Sequence, residues 1–311
     1  MGKNDVRISM WLSEKERFAD LYNAALFHGK PVFTADTLEK MDTRQNLSFQ
    51  SNNGREVSVQ RFHDICMKST LGTKLVLLTC ENQDEIHYAM PVRGMLYDAL
   101  DYTEQIRQIS QGNKKKKNYH NSAEFLSGFT KNDKLVPVIP LVFYYGDEEW
   151  NGSLDIHSLL DLSNEEKDTF GKYLPNYKIN LVDAKKLAKE NCLNSDLQYV
   201  LGMLEYKIEK EKLLLYMNGH KEYFEHMDME SYLVARMLLG SEKQLKEYQK
   251  KGEIDMCKAL DDLYQDGVEK GENRYSQLIL KLSELGLTEL LVKAASDSDY
   301  RDSLYMKYNI K

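Results

Sequence analysis

One run of ten residues constrains this chain more than any other: Lys74 to Gln83, KLVLLTCENQ. Its middle is continuously apolar, and it turns polar only at its C-terminal end. A short, uninterrupted apolar run is the pattern of a strand covered on both faces, and such strands lie centrally in sheets flanked by helices. The polar exit, Glu81-Asn82-Gln83, is where such a strand hands side chains to a site. Alternation along the strand puts Glu81 and Gln83 on one face, roughly 6–7 Å apart at the backbone.

The flanking sequence supplies partners for that strand. Residues 13–28 read as a helix, with Ser13 as cap, Glu16 completing a capping box, and Phe18, Leu21, Tyr22 and Ala25 as the apolar stripe. Gly29 and Pro31 end it. Residues 46–70 read as two strands joined at Asn52-Asn53-Gly54, the second running from Val57 into Cys66. A turn at Leu71-Gly72-Thr73 then leads back into the central run. From Tyr88 to Gln108 the period becomes helical, with Val92, Leu96, Leu100 and Thr103 on one face and Met95 and Ala99 beside them. The lysine run within Gly112–Asn118 reads as a loop. Leu135–Tyr145 is a second long apolar strand, bulged or near an edge in its first half because Pro137 and Pro140 each lack a ladder donor. Tyr177–Val182 alternates as a last short strand. Beyond it come helices, with one stripe at Leu197, Val200, Leu201, Leu204 and Ile208 and another at Tyr232, Leu233, Ala235 and Leu239. The expected organisation is an α/β domain over 1–185, a mixed sheet flanked by helices, and an α-helical C-terminal region over 186–311.

Charge and cysteine usage narrow the function classes. The 311 residues carry a formal net charge of −7, which argues against a protein that coats nucleic acid with lysine and arginine. An enzyme that touches DNA through one local basic surface remains compatible. Lys114–Lys117 could be such a surface, or simply a solvated loop. Cys66, Cys80, Cys192 and Cys257 form no C-x-x-C pair, so a structural zinc site is not expected, and two of them lie in strand-like runs as buried thiols. The N-terminal residues lack a signal-peptide core, and no run approaches the roughly 20 apolar residues needed to span a bilayer. The expectation is a cytoplasmic protein without a membrane partner.

The chemistry concentrates in three residues. Asp64 lies 17 positions before Glu81, room for a strand end, the turn at Gly72 and a return strand. An antiparallel return brings the two acids side by side. Two carboxylates and the backbone carbonyl of Asn82 are hard oxygen ligands that suit Mg²⁺, which prefers one or two carboxylates with waters and substrate phosphate. Gln83 can orient a water or donate to a phosphate oxygen. Arg93, on the following helix, can clamp a phosphate bidentately or pair with a surface acid. The same D…E-x-Q pattern also fits solvated acids near turns, and His87 and Tyr88 fit packing roles.

Several segments in order carry a family resemblance. Cys80-Glu81-Asn82-Gln83, then His87-Tyr88-Ala89-Met90-Pro91-Val92-Arg93 and Tyr97, resemble the Rpn family of recombination-promoting nucleases and putative transposases, within the PD-(D/E)XK nuclease superfamily. Phe18-Ala19-Asp20-Leu21-Tyr22-Asn23, His63-Asp64-Ile65 and the stretch from Val136 to Trp150 fit the same pattern, as does the Glu269-Lys270-Gly271 turn of the tail. The resemblance implies a restriction-endonuclease-like fold and Mg²⁺-dependent DNA cleavage, with Mn²⁺ as a substitute. It implies Asp64 and Glu81 as metal-binding acids, Gln83 in the place of the usual lysine, and Asp20 as an assisting acid. It assigns no ligand role to His63. DNA is the implied partner, and the C-terminal helices are the expected place of self-association. Glutamine at the lysine position leaves open a catalytically idle relative that binds DNA or protein.

Overall fold

The structure, a computed structural model, describes residues 3–41, 44–50, 56–240, 249–250 and 253–310. It divides into two compact units, one of residues 1–213 with 233–240, the other of 214–232 with 241–311. The division expected near 185 therefore falls inside the first unit.

The first unit opens with α1 (Lys3–Leu12), which no periodicity signalled, and α2 (Lys15–Phe27). The cap of α2 is Glu14, whose carboxylate accepts from the backbone N–H of Glu16 and Arg17; Ser13 instead donates to the Ser9 carbonyl. Strands β1 (Glu39–Lys40), β2 (Arg44–Gln50), β3 (Glu56–Phe62), β4 (Ile65–Leu71) and β5 (Lys74–Gln83) follow. β2 and β3 form an antiparallel pair of their own, and the Asn52-Asn53-Gly54 turn lies outside the described residues. The strand expected to run from Val57 into Cys66 is broken at His63-Asp64, and that break frees two polar side chains at the mouth of β4.

β4 and β5 form a tight hairpin in which Leu71 faces Lys74 across a two-residue turn. Gly72 takes a φ of 62° there, a conformation that a Cβ opposes. Next come α3 (Met90–Lys116), α4 (Ser122–Ser127), β6 (Val138–Tyr144), α5 (Asn164–Phe170), β7 (Leu181–Asp183), α6 (Ala184–Lys189) and α7 (Leu197–Tyr206). The main sheet has the order β1-β4-β5-β6-β7; β4 is antiparallel to β1 and β5, while β6 and β7 run parallel to β5. The chain is thus a mixed α/β protein whose central strand is the one expected from sequence.

Pro140 shows how proline is tolerated in such a sheet. The N–H of Val142 points toward the β7 side, to the Asn180 carbonyl. Two residues earlier, the missing N–H of Pro140 would point the same way, before the first β6–β7 pair at Val142 and Leu181. The first half of β6 is therefore an edge on that side only. Across the sheet, Tyr22 of α2 sends its hydroxyl to the carbonyls of Thr79 and Ile139, tying helix to both strands at 2.7 and 2.9 Å.

Two expectations on α3 are corrected. Val92, Met95 and Leu96 are exposed, whereas Gly94, Tyr97, Leu100 and Asp101 are buried. The inward face is partly polar, so a search for apolar residues selects the wrong side. The lysine run is no loop either: α3 continues through it to Lys116, and Lys117 closes it in the left-handed conformation. The stripe ending at Ile208 also stops short, because α7 ends at Tyr206 and Ile208 stands 93 % exposed.

The remaining helices are α8 (Lys210–Gly219), α9 (Lys221–Phe224) and α10 (Met229–Leu238), then a small pair, β8 (Gln249–Lys250) and β9 (Glu253–Ile254), then α11 (Met256–Glu284), α12 (Glu289–Ser296) and α13 (Ser298–Lys307). The second unit has its own core, in which Leu278 and Leu282 of α11 pack with Ala294, Leu304 and Tyr305. Among the described residues no disulfide forms, and Cys66 and Cys80 are buried in β4 and β5. Among the described residues, no helix is long and apolar enough to cross a membrane.

Candidate active site

Register places the two acids. Ile65 faces Cys80 across the β4–β5 ladder, so Asp64, one residue earlier, comes level with Glu81 at the polar exit of β5. The Gln83 carbonyl accepts from Tyr145 N–H on the β6 side. Neighbouring backbone groups point to opposite sides, so Asn82 presents its N–H and C=O to the β4 side, and Asp64 Oδ2 takes that N–H at 2.7 Å. Among the described residues the other oxygen, Oδ1, carries no hydrogen bond. Burial, then the charge of Glu81, push the Asp64 carboxyl up to about 7, with the Asn82 N–H and Arg93 pulling against them.

Glu81 is buried and held from two sides. His63 Nδ1 donates to its Oε1 at 2.9 Å, and Arg93 donates to its Oε2 at 3.2 Å. The other ring nitrogen of His63 donates to Asp101 Oδ2 at 3.1 Å. Burial alone would lower the pKa of this imidazole, but its hydrogen bonds to Asp101 and Glu81 outweigh burial and carry it up to about 10. His63 is therefore a cation at neutral pH, shared by two buried acids. Arg93 also donates to the Tyr97 hydroxyl at 3.0 Å and lies over that ring. Arg93, Tyr97 and Asp101 are spaced four apart on α3, one helical face turned to the end of β5.

The structure brings Asp64, Glu81, Asn82 and Arg93 together and leaves two expected residues out. Gln83 folds back, its amide donating to the Asn82 carbonyl at 2.7 Å. The Asn82 side chain points to the opposite face, donating to Ser9 of α1. Asp20 lies on the side of α2 that faces the chain entering α7, where its carboxylate accepts from the N–H groups of Asn194 and Ser195 and from the Ser195 hydroxyl. It borders a cavity of about 460 Å³ there, lined by Asn23, Phe33 and Asn194 among others, with neither Asp64 nor Glu81 in its wall.

Sequence reading missed three contributors: His63, which has no consensus role, Asp101, whose signal is its spacing from Arg93, and Asp5. Asp5 accepts from the Tyr145 hydroxyl at 3.0 Å and adds to the negative field at Asp64. Beyond Gln83 a cleft of about 400 Å³ opens, walled by Asp84, Glu85, Asp147 and Glu148 with Tyr88 and Tyr144. Gly146 lies at its edge, where a Cβ would run into the Asp84 carbonyl. Among the described residues, no three His, Cys, Asp or Glu side chains group as a metal cage.

Fold and site together define a mixed α/β protein with two acids paired at the exit of a central strand. Residues 115–232, which are 118 of the 311, match the family described as "Putative transposase, YhgA-like". Over that stretch, from the end of α3 through β6 and β7 into α10, the chain is similar to the YhgA-like transposases, in keeping with its Rpn resemblance. Such a family suggests a mobile-element-related function with DNA as partner. The match begins after Asp64, Glu81 and Arg93 and so does not bear on them. No match is found among curated proteins or solved structures.

Proposed function

We propose that this protein is a cytoplasmic, metal-dependent DNA endonuclease of the PD-(D/E)XK type, working in recombination or in the movement of genetic elements. The observation that carries the reading is the pairing of Asp64 with Glu81 at the exit of β5. Two acids brought level in a partly buried site, one of them pushed up to about 7, form a site short of positive charge.

The donor set fits a hard divalent cation. Asp64 Oδ1 and the Asn82 carbonyl are oxygen donors, and Glu81 Oε2 already engages a cation in the guanidinium of Arg93. Two carboxylates suit Mg²⁺, which retains waters, better than a metal needing a full protein cage. Asp64, Glu81 and the Asn82 carbonyl would hold it. When bound, such an ion lowers the pKa of a water and offsets charge on the transferring phosphate. The protein's own groups do the positioning. The Asn82 N–H fixes the Asp64 carboxylate, and His63 and Asp101 fix Glu81. Arg93, about a third exposed in its side chain, can transfer donors from Glu81 to a phosphate oxygen. Gln83 would turn from the Asn82 carbonyl toward water or phosphate.

Supercoiled plasmid with Mg²⁺ or Mn²⁺ tests this: the wild type nicks it and Asp64→Asn does not, and equal nicking by both refutes the assignment. A second reading, a relative that binds DNA without cutting it, is favoured by the engagement of both Glu81 oxygens and by the inward fold of Gln83. Intact plasmid at high protein and Mn²⁺, with DNA still bound, selects that reading. Self-association through the C-terminal helices belongs to the same proposal, and a single-chain mass by light scattering removes it.

A further inference from the structure

The far end of α3 carries a charge that the site does not use. Lys114, Lys115, Lys116 and Lys117 close the helix, and all four are exposed. The chain that follows folds back against them. Buried Asn113 donates to Asp133 at 2.7 Å, Thr130 N–H donates to the same Asp133 oxygen, and Asn118 N–H returns to the Asn113 carbonyl. This clasp brings Lys131 and Lys134, both exposed, to the same end of the helix.

The local acids are already committed. Asp133 holds the clasp, and Glu124 accepts from the N–H groups of His120 and Lys131 and from the His120 ring. Among the described residues, none of the six lysines forms an ion pair. A helix C-terminus favours cations, which accounts for the lysines in the last turn of α3 but not for Lys131 and Lys134, which the clasp delivers. Six lysines without an ion pair, gathered at the end of α3 in a chain of net charge −7, form a local field opposite in sign to the whole.

We propose that this surface binds the phosphate backbone of duplex DNA at a distance from the candidate active site. The proposal rests on DNA being the substrate. α3 is the ruler. Arg93 stands beside Glu81 near its start, and Lys115 lies 22 residues further along, roughly 33 Å at 1.5 Å per residue. That length corresponds to about ten base pairs at 3.4 Å each. A duplex engaged at both places therefore extends about one helical turn from the phosphate at Glu81. The contact is to backbone phosphate, so it positions the duplex without reading its sequence.

The test is fluorescence anisotropy with the full chain in EDTA, so that binding is read without cleavage. Duplexes of about 24 and about 8 base pairs lie on either side of the span. The wild type is expected to bind the longer one more tightly, with log Kd strongly dependent on log salt. The variant K114Q/K116Q/K131Q/K134Q should weaken the longer duplex at least tenfold and lower the salt slope by about 3.6, near 0.9 for each phosphate no longer neutralised. It should also lose the length preference, whereas K167Q/K172Q should leave all three unchanged. Equal affinity and slope in wild type and the fourfold variant overturn the proposal. Phe125 and Leu126 stand 69 % and 83 % exposed in the same segment, a combination that an acidic lipid surface would also accept. Lysine-dependent sedimentation with phosphatidylserine vesicles, without lysine-dependent duplex binding, would overturn it in favour of a membrane surface. Plasmid nicking scored separately keeps the two readings apart. Cleavage retained with unchanged variant binding removes only this surface, and lysine-dependent binding without any cleavage removes only the nuclease.

Discussion

Asp98 is a charge that the fold carries at a cost, and removing it should stabilise the protein. Its Oδ2 accepts from the Tyr177 hydroxyl at 2.9 Å, while Oδ1 is buried and has no hydrogen-bond partner among the described residues. Burial pushes the carboxyl up to about 6, the Tyr177 bond opposes this, and Asp101 adds to the rise. A folded pKa above the unfolded value means that the folded state holds the proton more tightly. The stabilising share is full below about pH 4 and is lost as the pH rises through about 6. A shift of about 2 units corresponds to about 3 kcal/mol at 1.36 kcal/mol per unit. Allowing for the water that reaches part of the side chain, and for an amide N–H₂ left without an acceptor, Asp98→Asn should gain about 1–2 kcal/mol at pH 7.5. Asparagine keeps the acceptor for Tyr177. At pH 4 the gain should vanish or reverse. Urea denaturation of both proteins at several pH values between 4 and 8 reads the difference directly. A stability difference that does not change with pH, or a variant less stable than the wild type at pH 7.5, would refute the reasoning.

Two further substitutions separate positioning from chemistry. Gln83→Lys restores a cation to the end of β5 and should raise the Mg²⁺-dependent nicking rate about 100-fold, the lower end of the scale set by the loss of single charge-stabilising donors elsewhere; an unchanged or lower rate would place Gln83 outside the reacting geometry. Asp20→Ala removes the acceptor for Asn194 and Ser195 and should cost about 2–4 kcal/mol in a thermal or urea melt while nicking per folded molecule holds. A specific loss of nicking at full stability would return Asp20 to the active site.

The parts of this protein that sequence revealed are those in which one physical signal dominates. Lys74–Gln83 is apolar over its middle, so its central position followed, and the Gly72 turn fixed the register that sets Asp64 against Glu81. The site's inner shell was hidden for the opposite reason. Tyr97 and Asp101 are buried because Arg93, His63 and Glu81 form a satisfied polar group, and a pattern of apolar spacing cannot detect a polar interior face. It chose Val92 and Leu96 instead, which water reaches. The position of Asp20 was not legible, because its segment matches the family pattern while hydrogen bonds to a distant loop decide where its carboxylate goes. The lysines at the end of α3 read as a loop by composition, yet lysine is a good helix former and the last turn of a helix welcomes its charge.

The hairpin of β4 and β5 also bears on the order in which this protein folds. His63, Asp64 and Glu81 all belong to a hairpin closed by a two-residue turn, whereas 54 residues separate Gln83 from Val138, where β6 begins. Short loops close at small entropic cost and long ones at greater cost, so the hairpin has the kinetic advantage over the parallel pairing. The two acids would meet before β6 arrives to cover them, and a pair of like charges is a poor nucleus. His63 travels in the same local unit, one residue ahead of Asp64, and brings a positive charge to Glu81 without waiting for the rest of the chain.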